Sequence, residues 1–227
     1  MNVNGRVYSD YADDVAVASL EGLLNATHDP ILYQSIMTTL GKCLGKSLNV
    51  VLPADAKCLV VSTAEDADYL TSGVIETIAS KHPNTLAAVF WNNHQDIPGG
   101  SIAPIVHKFI QPGYESSNTL IVIKSVISGG CVVRTNILAL VEKLNLEKIY
   151  ILSPVMHSKA TESLASDFPE EISSKFEFVY FAQDSHREDS GQVVPGIGGE
   201  VYRLLGIGNQ PVLNGYMPSL VRRLASV

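Results

Sequence analysis

The chain has 227 residues, 46% of them hydrophobic and 17% charged, with a formal net charge of −7. This length and composition predict a soluble globular protein that can bury a full core. The negative charge argues against a surface built to bind nucleic acid, and no apolar run approaches the ~18 residues that span a bilayer. The three cysteines are odd in number and lack C-x-x-C spacing, so we expect an intracellular, reduced protein of the cytoplasm or an organelle.

The first 27 residues are predicted to form an N-terminal arm, because residues 1–14 show no hydrophobic periodicity. They also lack the apolar core of a secretion signal. A long helix is predicted to begin at Asp29 and Pro30, where an aspartate can cap the helix and a proline fits its first turn. Apolar residues then recur at helical spacing as far as Leu48.

Five runs of mainly apolar residues alternate with helical patterns over the rest of the chain. Continuous apolar runs are typical of strands buried on both faces of a sheet. The alternation predicts a single α/β domain over residues 1–227, with a parallel, Rossmann-like sheet that binds ligands at the carboxyl ends of its strands. The predicted strands are 58–62, 86–90, 119–123, 149–153 and 176–181, and the predicted helices are 66–81, 131–144 and 158–167.

Two segments do not fit the alternation. Residues 91–118 contain several prolines and glycines and are too long for an ordinary connection, so they are predicted to form a flap. Residues 182–199 end in P-G-I-G-G and form a second glycine-rich loop at the same edge of the sheet. Long loops on a rigid sheet often carry function.

A strand, a glycine loop and a helix start follow one another around Gly129 and Gly130. In α/β proteins this arrangement binds anions, because glycines allow close approach and the N–H groups of the first helical turn point at the ligand. The predicted phosphate-binding residues are Ser128, Gly129, Gly130, Cys131 and Val132. The alternative is a tight structural turn without a ligand.

The sequence G-Q-V-V-P-G-I-G-G at residues 191–199, followed by Y-R-L-L-G, resembles the G-Y-I-I-P-G-L-G-D segment of uracil phosphoribosyltransferase, a member of the type I phosphoribosyltransferase family. The S-G-G-C loop resembles the donor loop of the same family, and the resemblance covers about residues 28–208. It implies that backbone groups of this segment recognise a base, although the family aspartate is replaced at position 199. The implied base-binding residues are Val194, Gly196, Ile197, Gly198 and Gly199.

The donor-binding positions depart from the family pattern in three loops. The acidic residue that holds the donor ribose falls on Ile123, and Lys124 follows it. Isoleucine offers neither a hydrogen-bond acceptor nor a charge. The arginine of the pyrophosphate loop falls on Glu65, where a carboxylate would repel the donor. A second family arginine falls near Asn92.

These departures favour a catalytically degenerate relative, a pseudoenzyme kept as a homodimerising module that binds a nucleotide or phosphate, or as a scaffold for a protein assembly partner. The alternative is an active enzyme that makes UMP from uracil and phosphoribosyl pyrophosphate with Mg²⁺. A third hypothesis is a hydrolase or transferase with a new site under the flap. Cys131 opens a predicted helix and could act with a histidine, but the sequence identifies no partner for it; His186 is the histidine closest to the base-site loop. No catalytic residue and no metal ligand is assigned.

Overall fold

A computed structural model describes residues 5–98 and 100–225. Its strands are β1 (Arg6–Tyr8), β2 (Cys58–Thr63), β3 (Leu86–Asn92), β4 (Gln95–Ile97), β5 (Gly100–Ile102), β6 (Ile105–Ile110), β7 (Thr119–Ile123), β8 (Val126–Ile127), β9 (Lys148–His157), β10 (Phe176–Asp184), β11 (His186–Arg187) and β12 (Val193–Val194). Its helices are α1 (Asp14–Asn25), α2 (Pro30–Val51), α3 (Ala64–Asp66), α4 (Ser72–Ile78), α5 (Cys131–Val141), α6 (Ala160–Ser166), α7 (Glu170–Ser173), α8 (Val201–Leu204), α9 (Pro211–Asn214) and α10 (Ser219–Leu224).

The main sheet has the strand order β1-β10-β9-β7-β2-β3-β6, with β8 also paired to β9. The strands from β10 to β3 are parallel, and the two edge strands β1 and β6 are antiparallel to their neighbours. All residues of β2 and β7 are buried, as expected for strands covered on both faces. The α/β fold with a mainly parallel sheet is therefore confirmed, and all five predicted strands are present.

The N-terminal segment is not a free arm over the residues that the structure describes. Arg6–Tyr8 pairs with the edge of β10, and the Arg6 guanidinium donates to the Asp184 carboxylate at 2.8 and 2.7 Å. The helix α1 follows, capped by Asp13, whose carboxylate accepts from the Ala16 N–H at 2.8 Å. A three-residue strand is too short to show a period, so the sequence pattern missed it.

The predicted flap is shorter than residues 91–118. Ile105–Ile110 forms β6, an antiparallel edge strand on β3, and the β4–β5 hairpin stands outside the main sheet. His107 and Lys108 interrupt the apolar pattern of β6 and are exposed. Polar residues of this kind are usual on edge strands, and they concealed the strand in the sequence.

Helices cover both faces of the sheet. One hydrophobic cluster lies between the sheet and α1, α2 and α4, and another lies under α5 and α6. α2 packs closely on the π-helical turn at Ala67–Thr71 that precedes α4, since a Cβ atom added to Gly41 would lie 2.1 Å from the Leu70 carbonyl oxygen. The predicted helix 66–81 is divided by a π-helical turn at Ala67–Thr71. Over the described parts of the chain, every helix is too short or too polar to cross a membrane.

Candidate functional site

The five residues predicted to bind phosphate lie around one cavity at the carboxyl end of β7. The cavity has a volume of about 180 Å³. Its wall is completed by residues of the flap and of the β11–β12 hairpin. The lining residues are Ile127, Ser128, Gly129, Gly130, Cys131, Val132 and Val133, together with His94, Ser101, Arg187, Ser190 and Gly191.

The backbone around Gly130 forms the start of α5. Gly130 has a φ of 81°, a conformation that glycine adopts without the steric cost of a Cβ atom. The first backbone bond of the helix runs from the Arg134 N–H to the Gly130 carbonyl at 2.8 Å. The backbone N–H groups of the first turn of α5, which come before that of Arg134, have no partner within the helix. The helix dipole also makes this end of α5 attractive to an anion.

Arg187 adds a positive charge to this end of the helix. A methyl group on Gly129 would lie 3.7 Å from the Arg187 Nη1 atom, so the guanidinium lies beside the glycine loop. Ser128 holds the two segments together, because its hydroxyl donates to the Gly191 carbonyl at 2.7 Å. Lining residues with acidic side chains are absent from this cavity within the described chain. The arrangement can hold a small anion, and phosphate binding stays a prediction.

Cys131 lies in the same cavity with partners that the sequence did not indicate. Burial acts to raise the pKa of its thiol, but hydrogen bonds from the His94 and Ser101 side chains, with the charge of His94, outweigh burial and lower the pKa below its usual value. His94 is fixed by its own backbone, which accepts from and donates to Gln210 at 3.1 and 2.8 Å.

The replaced donor positions form a buried ion cluster, defined here as Lys124, Glu65 and Asp66. The strands β2 and β7 are parallel neighbours, so the residues that follow them meet at one edge of the sheet. The Lys124 Nζ atom donates to the Asp66 carboxylate at 2.7 Å and to Glu65 at 3.1 Å. Burial alone would lower the pKa of Lys124, but the two carboxylates raise it above the ordinary lysine value.

The ion cluster changes the interpretation of Glu65. The sequence suggested a Glu65 carboxylate that would repel a donor, but Glu65 and its neighbour Asp66 both bind Lys124 instead, and their side chains are 6% and 0% exposed. Asp66 also accepts from the Thr63 hydroxyl at 2.9 Å. The expectation of a carboxylate that faces a ligand is therefore corrected, because a cation from the neighbouring loop pairs with both carboxylates.

Ile123 and Asn92 are buried as well. Ile123 is 1% exposed and belongs to the hydrophobic cluster under α1 and α2. The Asn92 amide donates to the Asn136 side chain at 2.9 Å and to the Ala103 carbonyl at 3.0 Å. Asn92 thus connects β3 with α5 and with the end of the flap.

The P-G-I-G-G loop is tied to the N-terminal part of the chain. Gly196 donates its N–H to Asp184 at 2.8 Å, and its carbonyl accepts from Arg6 at 2.6 Å. The Ile197 carbonyl accepts from the Tyr33 hydroxyl at 2.9 Å. These bonds use three of the backbone groups that the resemblance assigns to a base. Val194 lies in β12. The P-G-I-G-G loop is not among the segments that line the cavity beside Gly129. Base recognition by this loop stays a prediction.

Sequence reasoning missed several residues of the cavity wall, among them His94, Ser101 and Arg187. It had selected His186, which is exposed and precedes Arg187 in β11. The long segments 91–118 and 182–199 were the available signals, since each contributes to the cavity wall. The sequence could not show which residue of each segment points inward, because neither segment has a regular period.

The strand order, the glycine loop before α5 and the flap define a protein with the type I phosphoribosyltransferase fold. No protein-family model matches the chain, and no curated protein matches its sequence.

Solved structures match it along most of its length. The AQ2163 protein from Aquifex aeolicus has a TM-score of 0.68 and 11% identity, covering 86% of this chain and 96% of that one. Adenine phosphoribosyltransferase from Trypanosoma brucei, in complex with AMP, pyrophosphate and ribose-5-phosphate, has a TM-score of 0.50 and 11% identity, covering 86% and 88%. Orotate phosphoribosyltransferase from Mycobacterium tuberculosis has a TM-score of 0.45 and 11% identity, covering 74% and 90%.

Proposed function

We propose that the chain is a catalytically degenerate, uracil phosphoribosyltransferase-like protein that binds a nucleotide or phosphate and serves as a homodimeric or assembly-scaffold module. The buried ion cluster of Lys124, Glu65 and Asp66 carries this proposal. The resemblance gives the positions of Glu65 and Lys124 to the donor loops. Here Lys124 binds both carboxylates at 3.1 and 2.7 Å. A donor that displaced Lys124 would leave buried charges unpaired, which costs several kcal/mol.

The glycine loop supports a simpler ligand than the donor. The N-terminus of α5 and the guanidinium of Arg187 lie on the same cavity, and a monophosphate needs only such N–H groups and a cation. A cavity of about 180 Å³ suits a phosphate group with part of its ribose. The ligand class is therefore a nucleoside 5′-monophosphate or inorganic phosphate.

The Mg²⁺ that the resemblance implies for an active enzyme does not fit the donor position. Magnesium is held by carboxylate oxygens and by the phosphates of its substrate. Ile123 has no oxygen in its side chain, and Glu65 and Asp66 already bind Lys124. We therefore derive no catalytic step through a metal ion.

The retained glycine loop and the P-G-I-G-G segment favour a second candidate, an active enzyme that forms UMP from uracil and phosphoribosyl pyrophosphate. The two candidates differ in whether the donor binds. Calorimetry should compare phosphoribosyl pyrophosphate with Mg²⁺, UMP and inorganic phosphate. We expect binding of UMP or phosphate and no donor binding. Micromolar donor binding, followed by UMP formation on adding uracil, would replace the first candidate by the second, and no binding of any ligand would leave only the scaffold role.

Arg187→Gln tests the site of binding. Removing the guanidinium beside Gly129 should weaken UMP or phosphate binding about tenfold, since a hydrogen bond to a charged group contributes about 1.5–3 kcal/mol. Arg223→Gln is the matched control, because Arg223 lies in α10, outside the residues that line the cavity. Equal affinities of the two variants would place the ligand elsewhere.

The homodimer is proposed from the resemblance alone. Light scattering at several protein concentrations tests it directly. A measured mass of two chains would support the homodimer, and the mass of one chain at every concentration would contradict it.

A further inference from the structure

The cavity beside α5 contains the thiol of Cys131, a nucleophile that phosphate binding by backbone N–H groups does not use. Cys131 is half-buried, so its sulfur can be reached through the cavity. The side chains of His94 and Ser101 line the same cavity as Cys131, and both act to lower the pKa of its thiol. These partners come from the two ends of the flap hairpin, so the β4–β5 hairpin places a base and a hydroxyl over the start of α5.

The other two cysteines show that this environment is specific to Cys131. Cys43 in α2 and Cys58 at the start of β2 are 3% and 2% exposed and lie in one hydrophobic cluster. Burial raises the pKa of Cys58 to about 11, and burial raises the pKa of Cys43 above its usual value. A thiol of this kind is inert, whereas a half-exposed thiol beside a base and a helix N-terminus is reactive.

We propose that Cys131 and His94 form a nucleophilic pair, and that Cys131 is a modification site that reacts with hydrogen peroxide to give a sulfenic acid. His94 takes the proton of the thiol, and the thiolate attacks one peroxide oxygen. The S–O bond forms while the O–O bond breaks, so sulfur loses two electrons and the peroxide is reduced. The leaving hydroxide takes the proton from His94 and becomes water.

The charges around the sulfur favour this reaction. Arg187 lies on the same cavity and stabilises a thiolate, as does the N-terminus of α5. A wider cleft outside this cavity is lined by Arg187 and by four further charged residues, Arg134, Asp167, Glu188 and Asp189. Arg134 and Asp167 bind each other at 3.1 Å, which leaves Arg187 as the charge nearest the glycine loop among those described on the cavity wall.

The test treats the full-length protein with hydrogen peroxide and traps sulfenic acid with dimedone, and peptide mass spectrometry then measures the adduct at each cysteine. We expect the adduct on Cys131 and none on Cys43 or Cys58. Cys131→Ser should abolish it. Equal labelling of all three cysteines, or labelling of Cys131 no faster than a denatured control, would overturn the proposal.

His94→Gln tests the pair, because it keeps the backbone bonds to Gln210 and removes the base. The rate of adduct formation at neutral pH should fall about tenfold, since one unit of thiol pKa changes the thiolate fraction about tenfold. The midpoint of the rate against pH should also move upward. An unchanged rate and an unchanged midpoint would contradict a role of His94. His186→Gln, on the exposed face of β11, is the matched control and should leave both unchanged.

This inference does not depend on the proposed nucleotide function. Adding UMP or phosphate should slow the reaction of Cys131 if the anion occupies the same cavity. A reactive thiol without such protection supports the nucleophilic pair and counts against the phosphate site. An inert Cys131 thiol in a protein that binds UMP would contradict the nucleophilic pair and would support the nucleotide site.

Discussion

Replacing Lys124 by methionine tests the energetic importance of the ion cluster. The side chain of Lys124 is 11% exposed, and those of its partners Glu65 and Asp66 are 6% and 0% exposed. The change leaves two carboxylates buried without a cation. Breaking a buried ion pair from one side costs about 3–5 kcal/mol, which is a large part of the ~5–15 kcal/mol that stabilises a typical domain.

The measurement is urea denaturation followed by circular dichroism, with the m-value checked for two-state behaviour. Lys42→Met is the matched control: Lys42 binds Glu76 at 3.1 Å, but the two side chains are 45% and 65% exposed. An exposed pair of this kind contributes about 0.2–1 kcal/mol. We therefore expect Lys124→Met to cost at least about three times as much as the control.

A second variant separates lost charge pairing from lost packing. Adding Glu65→Gln and Asp66→Asn to Lys124→Met removes the unpaired charges and should restore most of the stability, because a neutral replacement of a whole ion cluster is often tolerated. If Lys124→Met costs no more than Lys42→Met, the reasoning about the cluster is refuted.

Three further predictions concern stability. Arg6→Met should cost about 3–5 kcal/mol in urea denaturation, because Asp184 is 0% exposed and would lose its cation. Gly41→Ala should cost about 1–3 kcal/mol, since the added methyl would lie 2.1 Å from a backbone oxygen, whereas the control Gly100→Ala meets nothing within 4 Å. Burial lowers the pKa of His157, so protonation opposes folding. The stability should therefore fall as the pH drops below ~6.5, the pKa of an unperturbed histidine, and His157→Gln should reduce this fall.

Different results would contradict each of these predictions. A stable Arg6→Met protein would mean that Asp184 is solvated or neutral. Equal effects of Gly41→Ala and Gly100→Ala would mean that α2 and the π-helical turn at Ala67–Thr71 are not in close contact. An unchanged slope of stability with pH in His157→Gln would assign the acid sensitivity to another group.

Local patterns were sufficient to predict the parallel sheet and the glycine loop. β7 and the start of α5 are close in the chain, so apolar runs and a glycine pair were sufficient to predict the strand, the glycine loop and the helix start. The pairing of Lys124 with Glu65 joins residues 59 positions apart, and no periodicity reports a contact of that kind. For the same reason the sequence could not bring His94 next to Cys131, since that contact depends on how the flap folds over the helix.

The ion cluster also has an evolutionary consequence. Glu65→Arg alone would put a second cation beside Lys124 and leave Asp66 as the single anion of the cluster. Lys124→Asp alone would bring three carboxylates together in a buried place. Each single change of charge in the cluster thus passes through a less stable protein, so residues 65, 66 and 124 are constrained to change together rather than one at a time.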